Sequence, residues 1–309
     1  MKKIPIVIDV DTGTDDAIAV MAALLSQDTL DIKAFTTVAG NVSLEKTSKN
    51  TLNLVDYLGY DIKVAVGASK PLAKDAFHAT CHGNSGLGDV VLPESKRGFY
   101  EKDAVTTLYE EAIKANGELQ VLAVGPLTNL AMAITCYPEI SEKIKRLTIM
   151  GGGVFGGNVT MTSEFNIYFD PEAAKIVFES GIPLYMVGLD VTTKTSLPPD
   201  VFSAIKNSGS KYASAAAKIF DFMVRRNVES GGEAPFLHDV IALAAVINPD
   251  ILTFKKFYME VECEGTITRG MTVADLNNVK EKDPNISAAL EIDSENFWRW
   301  LRELFLSSV

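Results

Sequence analysis

The sequence predicts an α/β protein with an open, mainly parallel, Rossmann-like sheet flanked by helices. Two patterns support this. Short β-branched runs alternate with longer segments of helical periodicity, and such alternation implies βαβ units. The first unit sets the rest. Ile4 to Asp11 reads as a buried strand, Gly13 opens a tight loop, and Ala17, Val20, Met21, Leu24 and Leu25 recur at helical spacing. Asp9, Asp11, Asp15 and Asp16 place four carboxylates within eight residues. They fall at the carboxyl end of a strand, where open α/β sheets bind ligands.

Four acids this close repel one another, so something positive is expected among them. Carboxylate oxygens suit a hard cation, Ca²⁺ or Mg²⁺, better than zinc or copper. Asp15 or Asp16 can also serve simply as an acid at a helix start, but one cap explains one Asp. An EF-hand is excluded by spacing. Counted from Asp9 or Asp11 the glycine is misplaced, and the preceding segment reads as strand where a helix is required. A magnesium-dependent phosphatase with Asp9 or Asp11 as nucleophile remains an alternative, although Gly13 stands where a Thr or Val is expected.

The chain has 309 residues, 47% of them hydrophobic and 22% charged, as in an ordinary soluble globular protein. No apolar stretch approaches bilayer length, and the run after Lys2 and Lys3 is broken at once by Asp9, so it reads as strand and not as signal peptide. A net charge of −11 argues against a nucleic-acid-binding partner. Cys81, Cys136 and Cys263 have no paired spacing, which suggests neither a disulfide framework nor a zinc site. A reducing, cytoplasmic location and no membrane partner are the expectations.

Further along, 31–38 reads as strand, 44–58 as helix and 62–66 as a short strand. Residues 71–100 form a long loop rich in glycine and proline, of the kind that is functional or disordered. His78 and His82 both lie in it, but its glycines oppose a helix, so they are not read as a metal pair. A helix at 103–115 leads to the strand 119–124, and a strand at 146–150 ends in Gly151-Gly152-Gly153. This glycine run permits close backbone approach but lacks the dinucleotide fingerprint. Asn158, Glu164 and Asn166 mark a polar stretch suited equally to a surface loop or to a polyhydroxyl ligand. Asp170-Pro171 opens a helix as cap and first-turn proline. A strand at 183–189 ends at Asp190, and helices follow at 199–207 and 212–228. His238-Asp239 heads an apolar helix, where a packed histidine and a capping acid are the plain alternatives. Strands at 257–263, 272–274 and 286–292 and a helix from Ser294 close the chain. No linker or repeat is present, so one domain over 1–309 is expected.

Several motifs together resemble the nucleoside hydrolases of the inosine–uridine type. They are D-x-D-x-G-x-D-D-A-x-A at Asp9–Ala19, T-V-A-G-N at Thr37–Asn41, H-G-N-S-G-L at His82–Leu87 and V-G-P-L-T-N at Val124–Asn129. M-G-G-G at Met150–Gly153, E-F-N at Glu164–Asn166, D-P-E-A-A at Asp170–Ala174 and H-D at His238–Asp239 complete the series. The resemblance spans nearly the whole chain. It implies the nucleoside hydrolase fold, a ribonucleoside substrate, and Ca²⁺ held by the side chains of Asp11, Asp16 and Asp239 and the carbonyl of Val124.

By the same resemblance Asp11 is the general base toward the attacking water. Asp15 holds the 2′-hydroxyl, with Asn41 behind the ribose, and Asn158, Glu164 and Asn166 grip the other hydroxyls. His82 lines the base end, and His238 assists the departing base. N-glycosidic cleavage passes through an oxocarbenium-like state that nearby carboxylates favour, and an acidic pocket disfavours phosphorylated substrates. The segment 222–237 carries Arg225 and Arg226 but no tyrosine, which directs the expectation to pyrimidine or mixed base preference. The family also implies nucleoside salvage and a homo-oligomer, dimer or tetramer. A non-catalytic calcium-dependent nucleoside binder is the remaining alternative.

Overall fold

The computed structural model describes residues 2–307. Its centre is β1 (Ile4–Val10), buried on both faces as parallel strands are. In it, Ile6, Ile8 and Val10 belong to one hydrophobic core and Val7 to the other, as the two-residue strand period requires. α1 (Thr14–Leu25), β2 (Leu30–Thr37), α2 (Leu44–Tyr57) and β3 (Val64–Val66) build outward on one side. On the other side come α3 (Ala104–Ala115), β4 (Leu119–Ala123), α4 (Thr128–Cys136) and β5 (Ile144–Met150), then α5 (Phe165–Phe169), α6 (Pro171–Phe178) and β6 (Leu184–Val187).

The chain continues through α7 (Leu189–Thr192), α8 (Pro199–Lys206), α9 (Lys211–Glu229) and α10 (His238–Ile247). It then adds β7 (Leu252–Phe257), the hairpin β8 (Met259–Val261) with β9 (Thr272–Ala274), β10 (Ile286–Ile292) and α11 (Ser294–Leu306). The main sheet runs β3-β2-β1-β4-β5-β6-β10-β7 and is parallel except for β7 at the edge. Strand order reverses between β1 and β4, which opens a crevice at their carboxyl ends. α1 and α10 cover one face of the sheet; α3, α4 and α6 cover the other. From Val240 to Ala245 every α10 side chain is fully buried, so this helix is apolar all round.

The expected cap is present: Asp170 accepts from Ala173 N at 3.1 Å with Pro171 in the first turn, and Asp103 caps α3 in the same way, accepting from Thr106 N at 2.7 Å. The end of the chain differs from the reading. The strand expected over 257–263 divides at Tyr258 into β7 and β8, and β7 starts earlier, at Leu252. Lys255 and Lys256 on β7 are exposed, and charges of this kind protect a sheet edge. They also broke the apolar alternation that would have announced the strand.

Candidate active site

A cleft of about 510 Å³ opens over the carboxyl ends of β1, β4 and β5. Its floor is acidic. Asp15, Asp16 and Asp239 each bring a carboxylate oxygen to within 4.8 Å of the others, and all three are buried. Asp16 Oδ1 also accepts from Asp11 N at 3.1 Å, and the Asp16 carboxylate stands beside those of Asp11 and Asp239. Burial and the neighbouring acids push Asp11 and Asp239 well above the usual carboxylate range, and burial carries Asp16 to about 6. Carboxylates in such contact must share either protons or a cation.

Asp11 is held with unusual closeness. Its Oδ2 accepts from Asn41 N at 2.6 Å, while its buried Oδ1 has no donor. Two glycines make room for it. A Cβ on Gly40 would lie 2.1 Å from Oδ2, and one on Gly125 would lie 2.8 Å from Oδ1. This accounts for the glycines in T-V-A-G-N and V-G-P-L-T-N. Asp16 performs both tasks considered for it. It accepts Gly13 N at 3.0 Å as part of the α1 cap, accepts Asn41 Nδ2 at 2.9 Å, and stands in the acid cluster.

Asp9 is not part of the floor. It shares the face of Val7, and there it accepts from Thr36 Oγ1 and from Asn129 Nδ2 at 2.8 Å. Burial raises it to about 7. The fourth acid of the cluster is Asp239, brought by the first turn of α10. Asp190 is not there either, since its oxygens accept Val154 N at 2.7 Å and Phe155 N at 3.1 Å. A phosphatase site therefore lacks both the Asp9 nucleophile and the strand-end acid Asp190.

The remaining expected residues line the cleft, but several are engaged in building it. Glu164 accepts from Gly152 N, Ile167 N and Asn166 N at 2.9, 3.1 and 2.9 Å. It caps α5, and burial still takes it to about 7. Asn166 Nδ2 donates to the carbonyls of Val124 (2.8 Å) and Met150 (3.0 Å), leaving its amide oxygen for a ligand. Asn158 Oδ1 accepts from Phe165 N at 3.0 Å, leaving its NH₂. The triple glycine approaches protein and not ligand, because Gly153 N donates to Thr272 Oγ1 and Leu189 N donates to Gly152 O.

His82 and His238 face the upper cleft, and burial lowers both, so they are neutral imidazoles. His82 Nδ1 accepts from Thr14 N at 3.1 Å, which puts its proton on Nε2. His238 Nδ1 pairs with Thr192 Oγ1 at 2.8 Å. Met223, Arg226, Asn227, Ser230 and Phe236 form the outer wall. Three residues went unread in the sequence, Thr14, Phe77 and Thr192, and His78 was read only as a loop histidine outside any metal pair. Each meets its partner across a long sequence separation.

An acidic crevice at the switch point of a doubly wound sheet, walled by amides and three histidines, fits an α/β enzyme of the glycoside-cleaving kind. The family model for inosine-uridine preferring nucleoside hydrolases matches residues 6–299, and the chain belongs to that family. It is 38% identical over 305 residues to the non-specific ribonucleoside hydrolase RihC of Escherichia coli, covering 98% of each chain. Among solved structures, a purine-preferring ribonucleoside hydrolase from Gardnerella vaginalis superposes with a TM-score of 0.93 at 32% identity, covering 98% of each chain. A plant nucleoside hydrolase, the PpNRh1 enzyme, also superposes with a TM-score of 0.93 at 31% identity, over 99% of this chain and 100% of its own.

Proposed function

We propose that this chain hydrolyses the N-glycosidic bond of ribonucleosides to free base and ribose, with Ca²⁺ on the acid floor. The observation that carries the reading is the buried, donorless Asp11 Oδ1 among mutually contacting carboxylates. An all-oxygen donor set of this kind fits a hard cation. Asp11, Asp16, Asp239 and the Val124 carbonyl would hold it; that carbonyl keeps a second lone pair beside its bond to Asn166. When bound, such a cation neutralises the acids and lowers the pKa of a water.

The protein's own groups do the rest. Asn41 N–H fixes Asp11 at Oδ2, so Oδ1 is the atom free to take the proton of the attacking water. The carboxylates stabilise positive charge as it develops on the sugar ring while the C1′–N bond breaks. Asp15 lines the cleft and holds the 2′-hydroxyl. The Asn166 amide oxygen and the Asn158 NH₂ take other hydroxyls, and Glu164 positions them both through α5. His82 offers Nε2–H toward the base. His238, whose Nδ1 pairs with the Thr192 hydroxyl, stands toward the leaving nitrogen.

The outer wall offers Arg226, Asn227 and Ser230 as hydrogen-bonding groups, and no tyrosine lies between 222 and 237. This supports pyrimidine or mixed base acceptance. Of the relatives, one is named non-specific, which agrees with mixed acceptance, and one purine-preferring. One domain over 1–309, supported by the continuous eight-stranded sheet, and nucleoside salvage as a cytoplasmic homo-oligomer complete the reading. Among the described residues no helix is long and apolar enough to cross a membrane. The test is a panel of uridine, cytidine, inosine and adenosine with base and ribose quantified together. Equimolar release supports hydrolysis, and the ranking assigns the base. Nucleoside binding without product would establish the non-catalytic binder instead.

A further inference from the structure

The buried face of α2 is partly polar, and it braces the strand ends behind the acid floor. Thr47, Ser48, Asn50 and Thr51 are all buried there. Thr47 Oγ1 donates to Val38 O at 2.9 Å, and the hydroxyls of Thr12 and Thr51 meet at 2.7 Å. Asn50 reaches two places at once. Its Nδ2 donates to Thr12 O at 3.1 Å and to Ser85 O at 2.8 Å, which uses both of its hydrogens. Thr12 lies in the acid loop, between Asp11 and Asp15, while Ser85 belongs to the H-G-N-S-G-L turn that begins at His82. One amide thus joins the acid loop to the histidine loop. The junction is tight: Gly86 has a φ of 91°, and a Cβ on it would lie 2.8 Å from Asn50 Nδ2 and 3.3 Å from Thr12 O.

The histidine turn is itself closed by hydrogen bonds. Gly88 N donates to His82 O at 2.9 Å, Ser85 Oγ donates to Gly88 O at 3.1 Å, and Leu87 N donates to Ser85 Oγ at 3.1 Å. A turn braced in this way moves as one body. Its imidazole meets the acid loop at Thr14 N, and Asn50 supplies a second polar fastening three residues along. Leu87 is sunk in the core, but apolar contact is non-directional. With one polar fastening the turn can pivot about Thr14; with two it cannot. The two loops serve opposite sides of the bond to be broken, the carboxylates the sugar and His82 the base. Resting on the hydrolase reading, we infer that Asn50 is a positioning residue, standing behind the cleft and holding His82 in register with the acid floor through its bonds to Ser85 and Thr12.

The test compares kcat/KM on the better of uridine and inosine with kcat/KM on p-nitrophenyl β-D-ribofuranoside, in calcium-containing buffer. Nitrophenolate leaves as a stable anion and needs no proton, so a residue acting through the base-side histidine is silent on it. A residue that supports the floor or the fold is not. Asn50→Ala should lose about 10- to 100-fold on the nucleoside and stay within about threefold on the nitrophenyl riboside. The ratio of the two substrates cancels any difference in folded fraction, and the milder Asn50→Ser should shift that ratio the same way. In a cycle with His82→Ala the losses on the nucleoside should not add, because the double variant lacks the group that Asn50 positions. That cycle decides alone if wild type does not cleave the nitrophenyl riboside. Equal losses on both substrates, an unchanged ratio, or losses that add to those of His82→Ala each overturn the inference. If wild type releases base from neither nucleoside, the hydrolase reading itself fails and this inference with it.

Discussion

Gly40→Ala is the sharpest small perturbation available at the acid floor. The added Cβ would lie 2.1 Å from Asp11 Oδ2 and 2.8 Å from Pro126 Cδ, where contacts under 3.0 Å essentially never occur. Asp11 or the Gly40–Asn41 turn must therefore shift by about 1 Å. Either movement breaks the 2.6 Å bond from Asn41 N. A misplacement of that size costs on the order of 10²-fold in rate, which is roughly 3 kcal/mol of barrier. Overpacking should cost a further ~1–3 kcal/mol of stability. The assay is ribose release from the best nucleoside of the panel, with thermal melting alongside and Gly98→Ala as control, since a Cβ there meets nothing. A Gly40→Ala protein that folds and keeps kcat/KM within about threefold of wild type would refute the claim that Asp11 is held to tolerance.

Asn166→Asp replaces a donor that bridges the Val124 and Met150 carbonyls with an acceptor facing them. It should lower unfolding stability by about 2–4 kcal/mol in urea titrations. Thr192→Val removes the partner of His238 Nδ1 and should lower kcat by about 3- to 10-fold with KM little changed, seen in steady-state kinetics. In chelated protein, Glu164 is raised from 4.5, and Asp9 from 3.8, each to about 7 by burial. The folded chain then holds more protons than the unfolded chain between those values. Stability should therefore fall as pH rises through about 4 to 7, by ~1.4 kcal/mol per unit per group at most. Melting temperatures measured across that window check the sign, and a rise with pH would contradict it.

The sequence made the acid cluster visible because its members lie next to one another and its strand, turn and helix are locally encoded. Strand parity gives Asp9 and Asp11 the same face, and what takes Asp11 alone to the floor is that β1 ends at Val10, leaving Asp9 inside the strand against Thr36 and Asn129. Asp239 lies 223 residues beyond Asp16, so only the family motif joined them before the fold did. Glu164 was given a hydroxyl to grip by the family resemblance, and it does line the cleft. Its three backbone donors come from turns that no side-chain pattern encodes. His78 was set aside because the glycines of its loop oppose a helix, and its partner, a main-chain carbonyl 38 residues away, leaves no mark in the sequence. The β7 edge was obscured by the lysines that protect it.

The central claim is that the acid floor works with a bound cation to cleave a nucleoside. Its most direct test is ribose release by the wild-type enzyme before chelation, after exhaustive chelation, and after calcium is restored. The account predicts activity, its loss by at least about 10²-fold, and its recovery on calcium addition. Undiminished ribose release from the chelated enzyme would contradict it.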